Sequence, residues 1–390
     1  MSVTAAEGFV ASGVACGIKD SGRPDLALVA ADGDQPVAAA AVFTSNLAAA
    51  APVEVSRRHL GATAGRARAV VLNSGNANAA TGERGRADAL EMSDGVARAL
   101  PGPAAPVEVL VCSTGLIGIP LPMGPIRRGI PGLVAARCRQ GAQAAAEAIL
   151  TTDTRAKQVE VHGRGAFTVG GMAKGAAMLA PDMATMLAVL TTDAEVDPVA
   201  LRASLARAAE RSFNVLSVDG CTSTNDTVVV LASGRGGRPD HDDFADALER
   251  ACRDLAEQMA GDAEGATKVV RVEVTGAGSD AEARTAARKV AQSQLVKCSL
   301  FGEDPYWGRV VSELGSAGVD FDLDRVSVSY GGVAVCRDGR PSAHDALAVQ
   351  AHLRQRHVTV SADLGLGPGR GAILTNDLTH AYVDENMRTS

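Results

Sequence analysis

The order of apolar and polar positions predicts strands and helices that alternate along the whole chain. In residues 1–80, short apolar runs are separated by glycine and asparagine, which is typical of strands joined by loops. Further strands are predicted within 105–118, 158–198, 212–234 and 261–279. Helical spacing of apolar positions predicts helices over 83–100, over 133–150, from about Pro198, over 242–259 and over 280–290. The fold class is therefore α/β or α+β.

The helix predicted over 242–259 has the clearest period. Its apolar stripe consists of Phe244, Leu248, Ala251, Leu255 and Met259. The polar segment "PDHDDF" in front of it is read as a solvated helix start, and the glycine-rich 365–371 as a structural turn. We read 158–198 as strand, glycine-rich loop and strand, and 212–234 as a strand pair with a polar middle. The proline- and glycine-rich segment 119–132 is a candidate domain boundary.

Composition narrows the class of protein. The chain has 390 residues, of which 46% are hydrophobic and 21% charged, enough for a large core and for two or three domains or two lobes that share a core. Aromatic residues make up only 3%, so the core must consist of small and β-branched side chains, which suits sheets covered by helices. The net charge is −7, with no long basic run, so we expect no nucleic-acid partner.

The seven cysteines lie far apart, form no C-x-x-C pair and are odd in number. The start of the sequence lacks the basic and apolar segments of a secretory signal, and no uncharged apolar run reaches the roughly 18 residues of a membrane helix. We therefore expect reduced thiols, a cytoplasmic location and no membrane partner.

Common catalytic motifs are absent from the sequence. There is no H-E-x-x-H, no phosphate-binding G-x-x-x-x-G-K-[ST] and no G-x-S-x-G. The apolar segment "LAPDMATMLAVLTTDA" (179–194) nevertheless contains Thr185 behind a small residue, Ala184. A threonine hydroxyl is a weak nucleophile until a base removes its proton, and no histidine is at hand in this segment.

One base remains available if the peptide bond before Thr185 is cut. The new α-amine would have a pKa of about 7.7–8.0, so much of it would be neutral near pH 7–8. Nucleophile and base would then belong to the same residue. Glycines upstream and Pro181 suit a tight turn, and the small Ala184 leaves room for attack on its carbonyl. These features permit cleavage, but they are also compatible with an ordinary buried strand.

The motif as a whole, "GGMAKGAAMLAPDMATML", resembles the self-cleavage segment of the ornithine acetyltransferase family. These are the bifunctional glutamate N-acetyltransferases and amino-acid acetyltransferases of arginine biosynthesis. The likeness extends over nearly the whole chain, through "NSGNANAATG", "STGLIG", "ILTTDTRAKQ", "FNVLSVDGCTSTNDTVVVLASG", "GDAEGATK", "FGEDPYWGR" and "NDLTHAYV". It implies an α/β fold of two lobes, with sheets packed against helices and the active site between the lobes.

The resemblance also implies the reaction. The precursor cuts itself between Ala184 and Thr185, and the α chain (1–184) and β chain (185–390) stay together. Thr185 takes the acetyl group of N2-acetyl-L-ornithine, releases ornithine and passes the acetyl group to L-glutamate, a ping-pong scheme with an acetyl-threonine intermediate. Some members also use acetyl-CoA. The family usually forms α2β2 heterotetramers, and no metal or organic cofactor is implied.

Several residues of the α chain match the family's site. Thr114 and Gly115 of "STGLIG" match its oxyanion hole, in which a hydroxyl and a backbone N–H stabilise the tetrahedral intermediate. Either Thr151 or Thr152 of "TTDT" matches a substrate contact, although either could instead cap a helix. Lys174 of "MAKG" matches a lysine that pairs with the substrate carboxylate.

In the β chain, Glu264 of "GDAEGATK" matches a carboxylate suited to the substrate's amino group. Asn386 and Ser390 match the tail positions that close the pocket. The tail "ENMRTS" departs from the family because it is one residue shorter and lacks the tyrosine that usually follows this asparagine. Tyr306 stands where asparagine is common, and Asn376 where cysteine or serine is usual.

These departures leave three alternatives to the arginine-biosynthesis enzyme open. The chain could be a relative in secondary metabolism with another acyl donor or acceptor. It could be an amidase or aminopeptidase with an N-terminal threonine, in which water takes the acyl group. It could also be a non-catalytic paralogue, which would remain a single chain.

Overall fold

The computed structural model describes residues 2–178 and 186–387, and within them the chain forms strands and helices throughout. The strands are β1 (Phe9–Val14), β2 (Leu26–Ala31), β3 (Val37–Phe43), β4 (Arg66–Ala67), β5 (Ala69–Asn76), β6 (Val109–Leu116), β7 (Lys157–His162), β8 (Thr168–Lys174), β9 (Leu187–Thr192), β10 (Thr227–Ala232), β11 (Val269–Ala277), β12 (Ser327–Tyr330), β13 (Val333–Arg337), β14 (Arg340–Pro341), β15 (His357–Asp363) and β16 (Gly369–Asn376). The α-helices are α1 (Ala51–Ala62), α2 (Gly82–Ala99), α3 (Met123–Ala135), α4 (Ala142–Ala148), α5 (Pro198–Arg211), α6 (His241–Ala260), α7 (Asp280–Gln292), α8 (Gln294–Phe301), α9 (Gly308–Gly315), α10 (Ala346–Leu353) and α11 (His380–Asn386).

The chain divides into two compact units. The first contains the described residues up to 178, 186–214 and 221–259. The second contains 215–220 and the described residues from 260 onward. This mixture of helices and sheets agrees with the predicted α/β class.

The first sheet of unit 1 has the strand order β1-β2-β5-β6, in which β5 and β6 run parallel. Its inner strands are buried on both faces, as continuous apolar runs predict. In β2, Ala27 and Val29 enter one core, whereas Leu26 and Leu28 enter another. The second of these cores is completed by apolar side chains of α2 and α3.

The second sheet of unit 1 has the order β4-β3-β10-β9-β8-β7. Its β8, β9 and β10 share a core with the first sheet through residues such as Met172, Val189 and Val229. Its opposite face contacts α5 and α6; Leu255 of α6, for example, lies against Gly171 of β8. Unit 1 is therefore a stack of four layers, with helices outside two sheets.

Unit 2 contains one mixed sheet of order β14-β13-β12-β15-β11-β16. Alternate residues of β11, Val270, Val272 and Val274, enter a core with alanines and Val290 of α7. The intervening Arg271 and Glu273 are only partly buried, so β11 shows the period-two pattern of a strand with one core face.

Most predicted elements are confirmed. Helices α2, α5, α6 and α7 and strands β6 and β11 lie where the pattern predicts them. Helix α5 begins at Pro198 because Asp197 accepts hydrogen bonds from the first free N–H groups. The segment 365–371 forms the bend before β16, and Asp242 and Asp243 lie in the first turn of α6.

Three predictions in the first half of the chain were wrong. Helix α1 was missed within 1–80, where only strands and loops were expected. The segment 119–132 is no boundary, because most of it forms α3. The helix expected over 133–150 is broken, because Cys138 leaves it to exchange two backbone hydrogen bonds with Ala11 of β1. These bonds join residues more than a hundred positions apart, so helical periodicity could not reveal them.

Two further predictions need correction. The glycine-rich loop expected within 158–198 is only partly right, because Gly170 and Gly171 lie inside β8, where a side chain at Gly170 would come within 2.2 Å of the Ser2 carbonyl oxygen. The strand pair expected over 212–234 contains one strand, β10. Residues 215–220 of this segment instead belong to unit 2, where Ser217 N–H donates to the Leu374 carbonyl oxygen.

Two other features of the described residues bear on the sequence analysis. None of the helices within them is both long and apolar enough to cross a membrane. The seven cysteines are free thiols.

Candidate active site

The end of β6 carries the predicted oxyanion pair. Thr114 is buried, and Gly115 is exposed and lies directly opposite Gly75 of the parallel strand β5. Gly115 has a φ of 131°, and a β-carbon there would come within 2.2 Å of the Gly75 carbonyl carbon. Only glycine fits this position, and its absent side chain leaves the backbone open to a ligand.

Buried amide side chains fix this strand end. The Ser113 hydroxyl donates to Asn73 Oδ1 at 2.6 Å, and Asn73 Nδ2 donates to the Asn76 carbonyl oxygen at 2.8 Å. Asn225, from the loop before β10, donates to the carbonyl oxygens of Ala77 and Ser113 at 2.6 and 2.9 Å. The polar "NSGNAN" and "STND" segments thus interlock, and the geometry around Gly115 is held by buried hydrogen bonds.

Lys174, at the end of β8, lies in a buried cluster of charges. Its Nζ is 3.9 Å from Asp153 Oδ2, and Lys157 Nζ is 2.6 Å from Asp153 Oδ1. Asp153 also accepts from the backbone N–H of Gly175 at 2.7 Å. Burial alone would raise the pKa of Asp153, but Lys174 and Lys157 lower it to about 2. Asp153 is therefore ionised at neutral pH.

The threonines of "TTDT" lie in the loop between α4 and β7. Thr151 is half-buried, and its N–H donates to Asp153 Oδ2 at 3.1 Å, whereas Thr152 is exposed. The alternative that either caps a helix is wrong, since a strand follows this loop. Of the two, only Thr151 is joined by a hydrogen bond to the group that pairs with Lys174.

A second buried carboxyl group, that of Asp226, contacts the backbone at Met186, where the described residues resume. Asp226 Oδ1 accepts from the N–H of Met186, the residue that follows Thr185 in the chain, at 2.8 Å. Its Oδ2 has no hydrogen-bond partner among residues 2–178 and 186–387. Burial raises the pKa of Asp226 well above its usual value, although the Met186 N–H and Lys174 oppose this shift. Asp226 is thus held toward its neutral form.

Ala184, Thr185 and Ser390 lie outside the described residues, but the strands on either side of the predicted cleavage point are described. β8 and β9 pair antiparallel over six positions, from Val169↔Thr192 to Lys174↔Leu187. β8 also pairs with β7, and β9 with β10. A break between these strands would leave both in the middle of one sheet, as the predicted association of the two fragments requires.

Unit 2 brings together two other predicted residues. Asn386 Nδ2 donates to Glu264 Oε2 at 2.8 Å, which ties α11 to the loop before β11. Glu264 lines a cavity of about 130 Å³ together with Lys297 and Asp377. The Lys297 ammonium donates to the Val218 carbonyl oxygen at 2.7 Å, and burial lowers its pKa to about 8 although nearby carboxylates oppose this.

The two departures from the family pattern have different surroundings. Tyr306 is exposed. Asn376 is buried, and its Nδ2 donates to the carbonyl oxygens of Ala260 and Lys268 at 2.9 and 2.8 Å. Asn376 therefore stabilises the backbone next to the Glu264 cavity.

Sequence reasoning missed the charged residues that surround the predicted ones. Asp153 and Asp226 lie within quoted motifs, "TTDT" and "STND", where only the threonines of the first were assigned. Lys297 lies among the apolar residues of "QLVKCSLF", and a lysine inside an apolar run was the available signal there. Lys19, in "GIKD", offers no such signal. No group of three or more histidine, cysteine, aspartate or glutamate side chains in the described part of the chain is placed to hold a metal ion.

The family model and the similar proteins found by sequence comparison all point to one family. The model of the ArgJ family matches residues 10–389. The arginine biosynthesis bifunctional protein ArgJ of Mycobacterium leprae is 50% identical over 396 residues, which cover 100% of this chain and 95% of that protein. The protein of the same name from Thermobifida fusca is 49% identical over 391 residues and covers 100% of both chains.

Two solved structures are also similar to this chain. ArgJ from Bacillus halodurans has a TM-score of 0.49 and 38% identity, and the match covers 50% of this chain and 96% of that one. Ornithine acetyltransferase from Mycobacterium tuberculosis, solved with ornithine, has a TM-score of 0.44 and 50% identity, with coverage of 46% and 94%.

Proposed function

The chain belongs to the ArgJ family, and from this premise we propose that it transfers the acetyl group of N2-acetyl-L-ornithine to L-glutamate in arginine biosynthesis. The observation that carries the proposal is the family match over residues 10–389. Two features of unit 1 support it: Gly115 leaves the backbone open at the end of β6, and Lys174 lies in a buried cluster of charges at the end of β8.

We propose that the chain first cuts itself. The Thr185 hydroxyl attacks the Ala184 carbonyl carbon and displaces the amide nitrogen, which leaves an ester between the two residues. Water then hydrolyses this ester, so that Ala184 gains a carboxylate and Thr185 a free α-amine. The hydrogen bond from Met186 N–H to Asp226 anchors the backbone next to this bond on its C-terminal side.

Acetyl transfer follows the same chemistry. The neutral α-amine takes the proton of the Thr185 hydroxyl, whose oxygen attacks the acetyl carbonyl of acetylornithine. The C–N bond breaks, the proton moves to the departing ornithine nitrogen, and an acetyl ester of Thr185 remains. The α-amine of glutamate attacks this ester, and N-acetylglutamate leaves as the threonine hydroxyl is restored.

Other residues have proposed roles in binding and stabilisation. The Thr114 hydroxyl and the Gly115 N–H stabilise the negative oxygen of both tetrahedral intermediates; one such donor contributes about 2.7–4 kcal/mol. Lys174 pairs with the substrate carboxylate. Of Thr151 and Thr152, we assign the substrate contact to Thr151, because its N–H is bonded to Asp153, which pairs with Lys174. Glu264, held by Asn386, faces the substrate's amino group.

Assembly and location are proposed by the same resemblance. We propose that αβ pairs form an α2β2 heterotetramer in the cytoplasm. Ser390 would help to close the pocket, and truncation before it would then raise KM for acetylornithine. Light scattering of the purified protein measures the assembly directly.

The test is the Thr185→Ala variant, with Thr285→Ala as matched control because Thr285 lies exposed on α7. Intact mass should show two fragments for the wild type and the control, with the second starting at Thr185. It should show a single chain for Thr185→Ala, which should transfer no acetyl group. A cleaved and active Thr185→Ala variant would refute the proposal.

The acceptor is tested separately with labelled acetylornithine. Label in N-acetylglutamate supports the proposed transfer, whereas label only in acetate would identify an amidase. An uncleaved and inactive wild-type protein would indicate a non-catalytic paralogue.

A further inference from the structure

Lys19 lies on a turn of unit 1 that one carboxylate holds in place. This turn follows β1, and Asp25 at its far end accepts hydrogen bonds from four consecutive backbone N–H groups at 2.6–3.1 Å. The donors are Cys16, Gly17, Ile18 and Lys19. The start of the Lys19 side chain is therefore fixed by the backbone.

The side chain of Lys19 runs along the predicted oxyanion turn. A β-carbon at Gly75 would be 3.1 Å from Lys19 Cγ, and Gly75 is the residue directly opposite Gly115. The ammonium group donates to the carbonyl oxygens of Pro24 and Leu150 at 2.8 and 2.7 Å. An ammonium has three donors, so one N–H remains beyond these two bonds.

These two hydrogen-bond partners of the Lys19 ammonium are uncharged carbonyl oxygens, and its charged neighbours act on it from farther away. Asp25 and Asp153 favour its charged form, whereas Arg23 and Lys174 disfavour it. Burial is the largest influence, and together these groups lower the pKa of Lys19 to about 8. A half-buried ammonium that bonds two neutral carbonyl oxygens, with Asp25, Asp153 and Lys174 near it, has a remaining N–H that suits a hydrogen bond to an anion.

We propose that Lys19 binds the α-carboxylate of the amino-acid substrates alongside Lys174. This inference rests on the proposed function and extends it to a substrate contact. When the acetyl carbonyl oxygen occupies the oxyanion site at Gly115, the α-carboxylate carbon is only two bonds from the amide nitrogen. Donor and acceptor share this carboxylate, so Lys19 would serve both half-reactions.

The test is a comparison of two donors that differ only in this carboxylate, N2-acetylornithine and N-acetylputrescine. Lys19→Met should lower kcat/KM for acetylornithine by about 10- to 100-fold, the loss typical of a hydrogen bond between charged groups. For acetylputrescine it should change kcat/KM by less than about threefold, because no contact is lost. Lys289→Met is the matched control, since Lys289 lies on α7 and pairs with Glu313. Equal losses for both donors would show that Lys19 only supports the fold, and would overturn the proposal.

The pH profile of the wild type gives an independent readout. As Lys19 loses its proton above about pH 8, KM for acetylornithine should rise, and KM for acetylputrescine should stay constant. Lys19→Arg should move this rise to higher pH. If Lys19→Met fails to fold or mature, this wild-type comparison still decides, because identical profiles for the two donors contradict the proposal.

Failure of this inference can be separated from failure of the proposed function. If mass analysis of the wild type with acetylornithine shows no acetyl group on Thr185, the proposed function fails. If it shows the acetyl-enzyme, and Lys19→Met does not discriminate between the donors, only the role of Lys19 is refuted.

Discussion

Asp153→Asn offers the sharpest test of the charge cluster in unit 1. Asp153 is the carboxylate between two buried lysines, with Lys157 Nζ at 2.6 Å and Lys174 Nζ at 3.9 Å. The substitution keeps the size and shape of the side chain and removes only its charge. Lys157 and Lys174 would then stay buried near each other without this carboxylate between them.

The size of the effect follows from the pKa and the burial. Lowering the pKa of Asp153 from 3.8 to about 2 corresponds to about 2.5 kcal/mol in favour of the folded state with the group ionised. Removing one partner of a buried ion pair typically costs about 3–5 kcal/mol, because the remaining charge is uncompensated. We therefore expect Asp153→Asn to lose about 2.5–5 kcal/mol and to lower Tm by roughly 3–6 °C.

Urea denaturation and calorimetry between pH 2 and pH 7 measure this difference. The folded-state pKa of Asp153 is depressed, so its contribution is complete above about pH 4 and is lost as the pH falls toward 2. The difference in the free energy of unfolding between wild type and variant should therefore become smaller as the pH falls from about 4 to 2. Asp94→Asn is the control, because the Asp94–Arg98 pair is exposed and should contribute less than about 1 kcal/mol. A variant within about 0.5 kcal/mol of wild type at pH 7 would show that Asp153 is not the partner that stabilises these lysines.

The remaining predictions concern the strand end and the second buried carboxyl group. Gly115→Ala should lower kcat by about 100-fold or more, because its β-carbon would overlap Gly75 and displace the backbone N–H. The control is Gly118→Ala: Gly118 also has a positive φ, but a β-carbon there meets open space, so the variant should lose only about 1 kcal/mol of stability. Similar steady-state kcat values for the two variants would contradict the oxyanion role. Asp226→Asn should mature normally, since asparagine still accepts from Met186 N–H, and intact mass checks this. Because the pKa of Asp226 is raised in the folded state, its contribution to the free energy of unfolding falls as the pH rises above about 4. In urea denaturation, the free energy of unfolding of the variant should therefore increase relative to that of the wild type between pH 4 and pH 7. A constant difference would show that Asp226 is ionised when folded.

The spacing of apolar residues was sufficient to predict a helix or strand wherever that spacing was clear within the element itself. Helix α6 has an apolar stripe at helical spacing and was predicted over 242–259, close to its observed bounds. Strand β11 alternates apolar and polar residues and lies within 261–279, where a strand was predicted. Helix α1 was missed because alanine and valine suit both helix and strand, so "APVEVSRRHLGA" carries no decisive local signal. Here contact with the sheets, rather than periodicity, selects the helix.

The residues of the candidate site also fall into those that the sequence predicted and those that only the structure revealed. Thr114, Gly115 and Lys174 were assigned because the family motif is continuous in sequence, and each lies at the end of a strand in unit 1. Asp153 and Lys19 were not assigned, because nothing in "TTDT" or "GIKD" shows that their side chains meet the predicted residues.

By itself, the sequence determined the fold class, the family and the segment that carries the proposed nucleophile, because these depend on residue order and short-range periodicity. Tertiary structure decided which charged groups are buried together and therefore what their pKa values are. The physical reason is that burial and Coulomb interactions depend on distance in space. Lys174 follows Asp153 by 21 positions along the chain, yet their charged atoms are 3.9 Å apart in the folded protein.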